Sequence, residues 1–144
     1  MRDEIKAVVE GIAPVPLKVI LEVSRLTDDE IRRGSEAVVG GGAAFVKTGT
    51  GWTGEPTTLN HIRIFNSVVQ GHCRSKASGG IRELETIKAM LALGVTCFGI
   101  NIQVALKLMN ECAESDGGLT AKFPSPFQRP LFLLAPPPME SPPV

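Results

Sequence analysis

The chain has no surplus of either charge: 15 acidic side chains balance 15 basic ones. Nothing in that balance favours nucleic acid or an anionic membrane surface as a partner. No apolar run is long enough to cross a bilayer, and Met1-Arg2-Asp3-Glu4 does not open like a secretion signal. Cysteine is scarce. Cys73, Cys97 and Cys112 are odd in number and lack metal-ligand spacing, which argues against a disulfide framework or a metal site. They read as small buried hydrophobes in a reducing, cytoplasmic compartment. Histidine is equally sparse. His61 falls inside an amphipathic helical pattern and His72 at a helix–strand junction, neither at ligand or triad spacing, so both read as structural.

What is present is enough for one folded domain. Of the 144 residues 43% are hydrophobic, mean hydropathy is +0.13, and a chain of this length can bury a real core. Ile5, Val8, Val9 and Ile12 recur at helical spacing over Asp3 to Ile12, and Pro14 and Pro16 close that helix. Leu17 to Val23 is a short β-branched run that predicts a buried strand. Thr27-Asp28-Asp29-Glu30 is a capping-box pattern, and the helix it opens ends at Gly40-Gly41-Gly42. Ala43 to Lys47 predicts a second strand. Thr57 or Thr58 then caps a helix carrying Leu59, Ile62, Phe65 and Val69 on one face, which Gly71 ends. His72 to Ala77 is the third strand, Glu83 to Leu93 a helix with Gly94 after it, Val95 to Ile100 the fourth strand, and Ile102 to Glu114 the last helix.

The order is one helix, then four β-α units. Equivalent strand ends recur every 25 to 29 residues or so, near the unit length of an eight-fold β/α barrel. Strands apolar throughout suit a parallel sheet covered by helices. The fold class expected is α/β, a partial TIM barrel of about four parallel β-α units. Residues 1–122 are expected to form that domain. From Phe123 eight prolines crowd the last 22 residues, which excludes helix and inner strand, so 123–144 is expected to be an extended, Pro-rich tail.

Two motifs carry the chemistry. Phe45-Val46-Lys47-Thr48-Gly49-Thr50-Gly51 and Lys76-Ala77-Ser78-Gly79-Gly80-Ile81 each end a strand in a lysine followed by small residues and glycines. A lone strand-end lysine is usually a solvated flank. Here two stand on consecutive strands, ~5 Å apart, at the C-terminal ends where barrels of this kind place their active sites. Neighbouring ammonium groups disfavour one another's charge, which leaves one amine free to attack a carbonyl while the other tunes it or relays a proton. The loops Ser78-Gly79-Gly80-Ile81 and Phe98-Gly99-Ile100-Asn101 precede helices and are candidates to hold a phosphate, with Arg82 adding charge. Glu22, at the end of the first strand, faces the same mouth, either as part of a proton network or as an ion-pair partner for a lysine. Trp52 lines the loop over the mouth or packs beneath it.

At these residues the sequence resembles the deoxyribose-phosphate aldolases, class I aldolases of the TIM-barrel fold. The match runs from about Arg2 to Glu114: Lys18-Val19-Ile20-Leu21-Glu22, Leu26-Thr27-Asp28-Asp29-Glu30, Phe45 to Gly51, Lys76 to Arg82, and Phe98-Gly99-Ile100-Asn101. The resemblance implies that Lys47 forms a Schiff base and that Lys76 perturbs it and assists proton transfer. It implies that Thr48, Thr50, Gly51, Gly79, Gly80, Arg82, Gly99 and Asn101 contact the substrate or its phosphate, with Glu22 in a proton network. The implied reaction is reversible cleavage of 2-deoxy-D-ribose 5-phosphate to glyceraldehyde 3-phosphate and acetaldehyde. It needs no metal or organic cofactor, because the protonated imine is the electron sink. Five residues at three places depart from the family pattern. Gly49 stands where the family has serine, Cys97 where it commonly has arginine, and Asn101-Ile102-Gln103 replaces serines of the phosphate loop. The resemblance also implies that the chain begins in the helix before the family's fifth strand, without the first four units and the fourth strand's aspartate. Four strands do not close a barrel. Two copies are expected to close one as a homodimer, or another chain to supply the missing half. A catalytically impaired fragment acting as an interaction protein is the alternative expectation.

Overall fold

The computed structural model of the protein describes residues 1–114. In chain order these form α1 (Arg2–Ile12), β1 (Lys18–Ile20), α2 (Asp28–Gly40), β2 (Phe45–Lys47), α3 (Leu59–Val69), β3 (Arg74–Ser78), α4 (Leu84–Ala92), β4 (Cys97–Gly99) and α5 (Ile102–Glu114). The strands make one sheet in the order β1-β2-β3-β4, and every neighbouring pair is parallel. The expected succession of one helix and four β-α units is therefore what the chain builds. The expected tail, 123–144, lies outside the described residues.

Register decides which side chains face which layer. Val46 pairs with Val19 and Ser75, and Ala77 pairs with Phe98. Val46 and Ala77 are fully buried beneath the helices. Two core clusters lie there. One joins Ile5, Val23, Ile31, Val38, Val46, Phe65 and Val69, and the other joins Ile62, Ala77, Ile81, Leu84, Ile87, Met90, Val95 and Leu108. Because side chains alternate along a strand, the intervening residues face the other way. These are the rows Lys18, Phe45, Arg74 and Ile20, Lys47, Lys76, Cys97.

Several expectations shift. The first strand is shorter than its apolar run. Leu21 and Val23 still donate to Lys47 O (3.0 Å) and Thr48 O (2.8 Å), but Glu22 between them turns into the left-handed region (φ 58°, ψ 55°) and starts a short 3-10 turn over Val23–Arg25. The third strand begins two residues and ends one residue later than the pattern suggested, because Ser75 and Ser78, polar in sequence, bury their hydroxyls against backbone carbonyls. The cysteines are half-buried rather than buried. Cys73 packs against the first core cluster, and that burial pushes its thiol above the ordinary range. Trp52 is 93% exposed, so it does not pack beneath the mouth. Among the described residues no helix is long and apolar enough to cross a membrane.

Candidate active site

The site forms where the loops after β2, β3 and β4 meet. Lys47 and Lys76 are register partners on adjacent parallel strands, so the two amines leave the same face of the sheet side by side. Backbone pairing continues past them, with Thr48 N–H donating to Lys76 O at 3.0 Å. Both side chains are half-buried.

Three hydroxyls clamp the loops beyond the lysines. Thr48 is fully buried. Its hydroxyl donates to Ser78 O (2.9 Å) and accepts from Ser78 N–H (2.9 Å). The Thr57 hydroxyl lies 2.7 Å from Ser78 O and 3.1 Å from Thr48 Oγ1, and Thr57 N–H donates to Gly79 O at 2.9 Å. The Ser78 hydroxyl returns to Gly49 O. Each buried polar group is thus satisfied by its neighbour, which makes the assembly stiff. Thr57 was not among the candidate residues, and Ser78 was named only as part of a candidate phosphate loop. Thr57 was hidden by ambiguity, since either threonine of the pair fits a cap. The structure gives the cap to Thr58, whose hydroxyl accepts from His61 N–H while His61 Nδ1 accepts from Thr58 N–H, and this fixes the histidine's structural part.

A cleft of about 360 Å³ opens above this clamp, a volume in the range of small-molecule sites. Lys47, Thr50, Gly51, Gly79, Gly80, Arg82, Gly99 and Asn101 all line it, joined by Ser78, Ile81, Ile100 and Val104. Three candidates stand outside the lining. Thr48 is sealed within the clamp, so its hydroxyl supports the site from below. Lys76 stands beside Gly99: a methyl group added at that glycine would lie 3.2 Å from Lys76 Cε and 2.9 Å from Ser78 Cβ. A residue without a side chain is what lets the lysine pass. Among the described residues Glu22 pairs with no lysine. Its carboxylate accepts from Thr50 N–H (3.0 Å) and from the Thr50 hydroxyl (2.6 Å), tying the first strand's end to the loop after β2.

The floor of the cleft is suited to an anion. Gly79 and Gly80 adopt φ of 102° and 69°, and a methyl at Gly80 would fall 2.5 Å from Pro56 Cβ, so glycine is required there. Among the described residues their N–H groups donate to no protein acceptor, and Arg82, exposed at the rim, enters no ion pair. Asn101 is different. Its side-chain oxygen accepts from Val104 N–H at 2.9 Å and so caps α5.

No family model matches the chain. Among curated proteins, the deoxyribose-phosphate aldolase of Rhizobium meliloti (strain 1021) is 58% identical over 118 residues, covering 82% of this chain and 48% of that protein. Among solved structures, the aldolase QR15 superposes with a TM-score of 0.68 at 33% identity, over 76% of this chain and 51% of its own. A deoxyribose phosphate aldolase from Aeropyrum pernix, described as a unique tetramer, has a TM-score of 0.68 at 23% identity, over 78% of this chain and 49% of its own, and speaks to the fold alone. The chain spans about half the length of the curated relatives it matches. The four β-α units are accordingly part of a TIM-type barrel.

Proposed function

We propose, on the premise that this chain belongs to the deoxyribose-phosphate aldolase family, that it carries the imine-forming part of an aldolase acting on 2-deoxyribose 5-phosphate. The observation that carries this reading is the pairing of Lys47 with Lys76 across adjacent strands, with Lys47 at the edge of a cleft floored by unpaired glycine amides. The Lys47 amine adds to the aldehyde carbon of the open-chain sugar, and loss of water leaves a protonated imine. The bond between the sugar's second and third carbons then breaks. Its electron pair moves into the imine as an enamine, and the hydroxyl on the third carbon gives up its proton as glyceraldehyde 3-phosphate leaves. Protonation of the enamine and hydrolysis release acetaldehyde and restore the lysine. Lys76 keeps a cation beside the nucleophile and moves protons at the imine.

The Gly79 and Gly80 amides, with Arg82 and the backbone around Gly51 and Gly99, hold the phosphate. Thr50 contacts the substrate from a loop that Glu22 orients, so Glu22 is a positioning residue. Thr48 acts one step further back, by fixing Ser78 and hence the Gly79–Gly80 turn. Asn101 shapes the rim as the α5 cap. A phosphorylated substrate of intermediary metabolism supports a cytoplasmic location.

The test is borohydride reduction in the presence of 2-deoxyribose 5-phosphate, read by peptide mass spectrometry. An adduct is expected on Lys47, absent in Lys47→Ala and weakened at least about tenfold in Lys76→Ala. A folded sample that yields no adduct at Lys47 overturns the reading.

A further inference from the structure

Thr57 has no part in the chemistry proposed above, yet it grips the floor of the cleft from below. It is buried and stands just before α3, whose cap is already supplied by Thr58. Its hydroxyl is therefore free to turn toward β3. That hydroxyl donates to Ser78 O at 2.7 Å, and the Thr57 N–H donates to Gly79 O at 2.9 Å. Ser78 O belongs to the same peptide group as Gly79 N–H, and Gly79 O to the same group as Gly80 N–H. In a planar trans peptide the carbonyl and the N–H point in opposite directions. The torsions of Gly79 (φ 102°) set one peptide group against the next, and here they bring both carbonyls to Thr57. Glycine also makes the room: a methyl at 79 would lie 3.4 Å from Thr57 Oγ1. A residue that holds both carbonyls on the buried side turns both N–H groups the other way, toward the cleft that Gly79 and Gly80 line.

We propose that Thr57 is a positioning residue for the anion site: it aims the Gly79 and Gly80 amides at the phosphate without touching the phosphate itself. Among the described residues neither amide has a protein acceptor, and two successive N–H groups facing one side make a concave anion site. The grip also strengthens them. A carbonyl that accepts a hydrogen bond polarises its own peptide group, so the N–H across that group becomes the better donor. Ser78 O accepts from two hydroxyls, those of Thr57 and Thr48 (2.9 Å), but only Thr57 reaches Gly79 O as well. The hydroxyl is committed to this contact and buried under the turn, so its effect on a ligand passes through the two amides. The inference rests on the reading of the Gly79–Gly80 floor as the phosphate site, and not on the imine at Lys47.

The probe is inorganic phosphate, titrated into the full chain and followed by NMR at the Gly79 and Gly80 amides. In wild type both amide protons are expected to move downfield and to saturate. Thr57→Val keeps the branched shape and the backbone N–H but removes the hydroxyl. Its half-saturating phosphate concentration should rise at least about threefold, and Thr57→Ser, which restores the hydroxyl, should return it to the wild-type value. Circular dichroism confirms that each variant is folded, and should Thr57→Val fail to fold, Thr57→Ala takes its place in the same comparison. A valine variant that binds phosphate like wild type overturns the proposal. So does a serine variant as weak as the valine one, because packing of the methyl group would then be the cause. Wild-type amides that ignore phosphate overturn both this inference and the phosphate reading beneath it. Borohydride trapping of acetaldehyde, which carries no phosphate, reports Lys47 separately, so the imine stands or falls on its own result.

Discussion

At the scale of single residues, the informative position is one where the chain departs from its family. Gly49 stands where the resemblance implies a serine, and from sequence this reads as the loss of a hydroxyl. The structure gives it another meaning. A side chain at 49 would begin 2.5 Å from Glu22 Oε1, so the missing atoms are the space that the Glu22 carboxylate fills in order to hold Thr50. Glu22 sits at φ 58°, a conformation that costs a non-glycine residue about 1 kcal/mol. Its grip on Thr50 and the Val23-to-Thr48 backbone bond keep it there. Gly49→Ser should therefore dislodge Glu22 and behave like Glu22→Ala. Both should raise KM for the phosphosugar more than they lower kcat, and both should speed hydrogen exchange at the Thr50 amide. The double variant should add little to either single one, because each breaks the same contact. Fully additive effects would mean that the two residues act separately. Glu22 was legible as a residue of the mouth, since it follows an apolar strand. Its bond to Thr50 was not, because nothing in the local pattern announces a left-handed turn at a glutamate.

At the scale of elements, caps and hydrophobic spacing revealed every α-helix of the described chain but not the 3-10 turn after β1. The Thr27-to-Glu30 box is present as expected: the Thr27 hydroxyl accepts from Glu30 N–H, and Glu30 Oε2 accepts from Thr27 N–H at 2.8 Å. Strands were read less sharply. Periodicity gives a strand's presence, but its ends depend on which polar groups find buried partners, as Ser75 and Ser78 do in β3. The same blindness hid Thr57 beside Thr58, and with it the clamp under the cleft. The Thr27 cap has a pH dependence of definite sign. The Thr27 N–H bond, then the Thr27 hydroxyl, holds the Glu30 carboxyl below its usual value. A carboxyl depressed in the folded state contributes stability above its unfolded pKa, and that contribution is lost as pH falls through the folded value. Acidification below the ordinary carboxylate range should therefore fray the first turn of α2. Amide exchange at Thr27 and Glu30, followed by NMR, should rise there relative to the α2 interior. Glu30→Gln should remove that dependence on pH. An unchanged exchange profile in acid would show that the carboxylate bond does not hold the cap.

For the whole molecule, the two lysines belong to different halves of the core. Lys47 is on β2, whose Val46 enters the first cluster, and Lys76 is on β3, whose Ala77 enters the second. Their juxtaposition survives only if the halves move as one. α3 is the element they share: Phe65 and Val69 fill the first cluster, and Ile62 one turn earlier fills the second. Asn66 on the same helix donates from Nδ2 to Leu93 O at 2.7 Å, fastening the end of α4. A cavity in α3 should therefore be felt on both sides. Phe65 is fully buried, and Phe65→Ala should cost about 3–5 kcal/mol. Hydrogen exchange is the measurement that separates coupling from mere proximity. If α3 unites the halves, protection should fall in α2 and in α4 by similar factors, and the Lys47 imine yield should fall with it. If α4 keeps its wild-type protection while α2 loses its own, the halves are separate folding units. The lysine pair would then depend on whatever closes the barrel, rather than on α3, for its alignment.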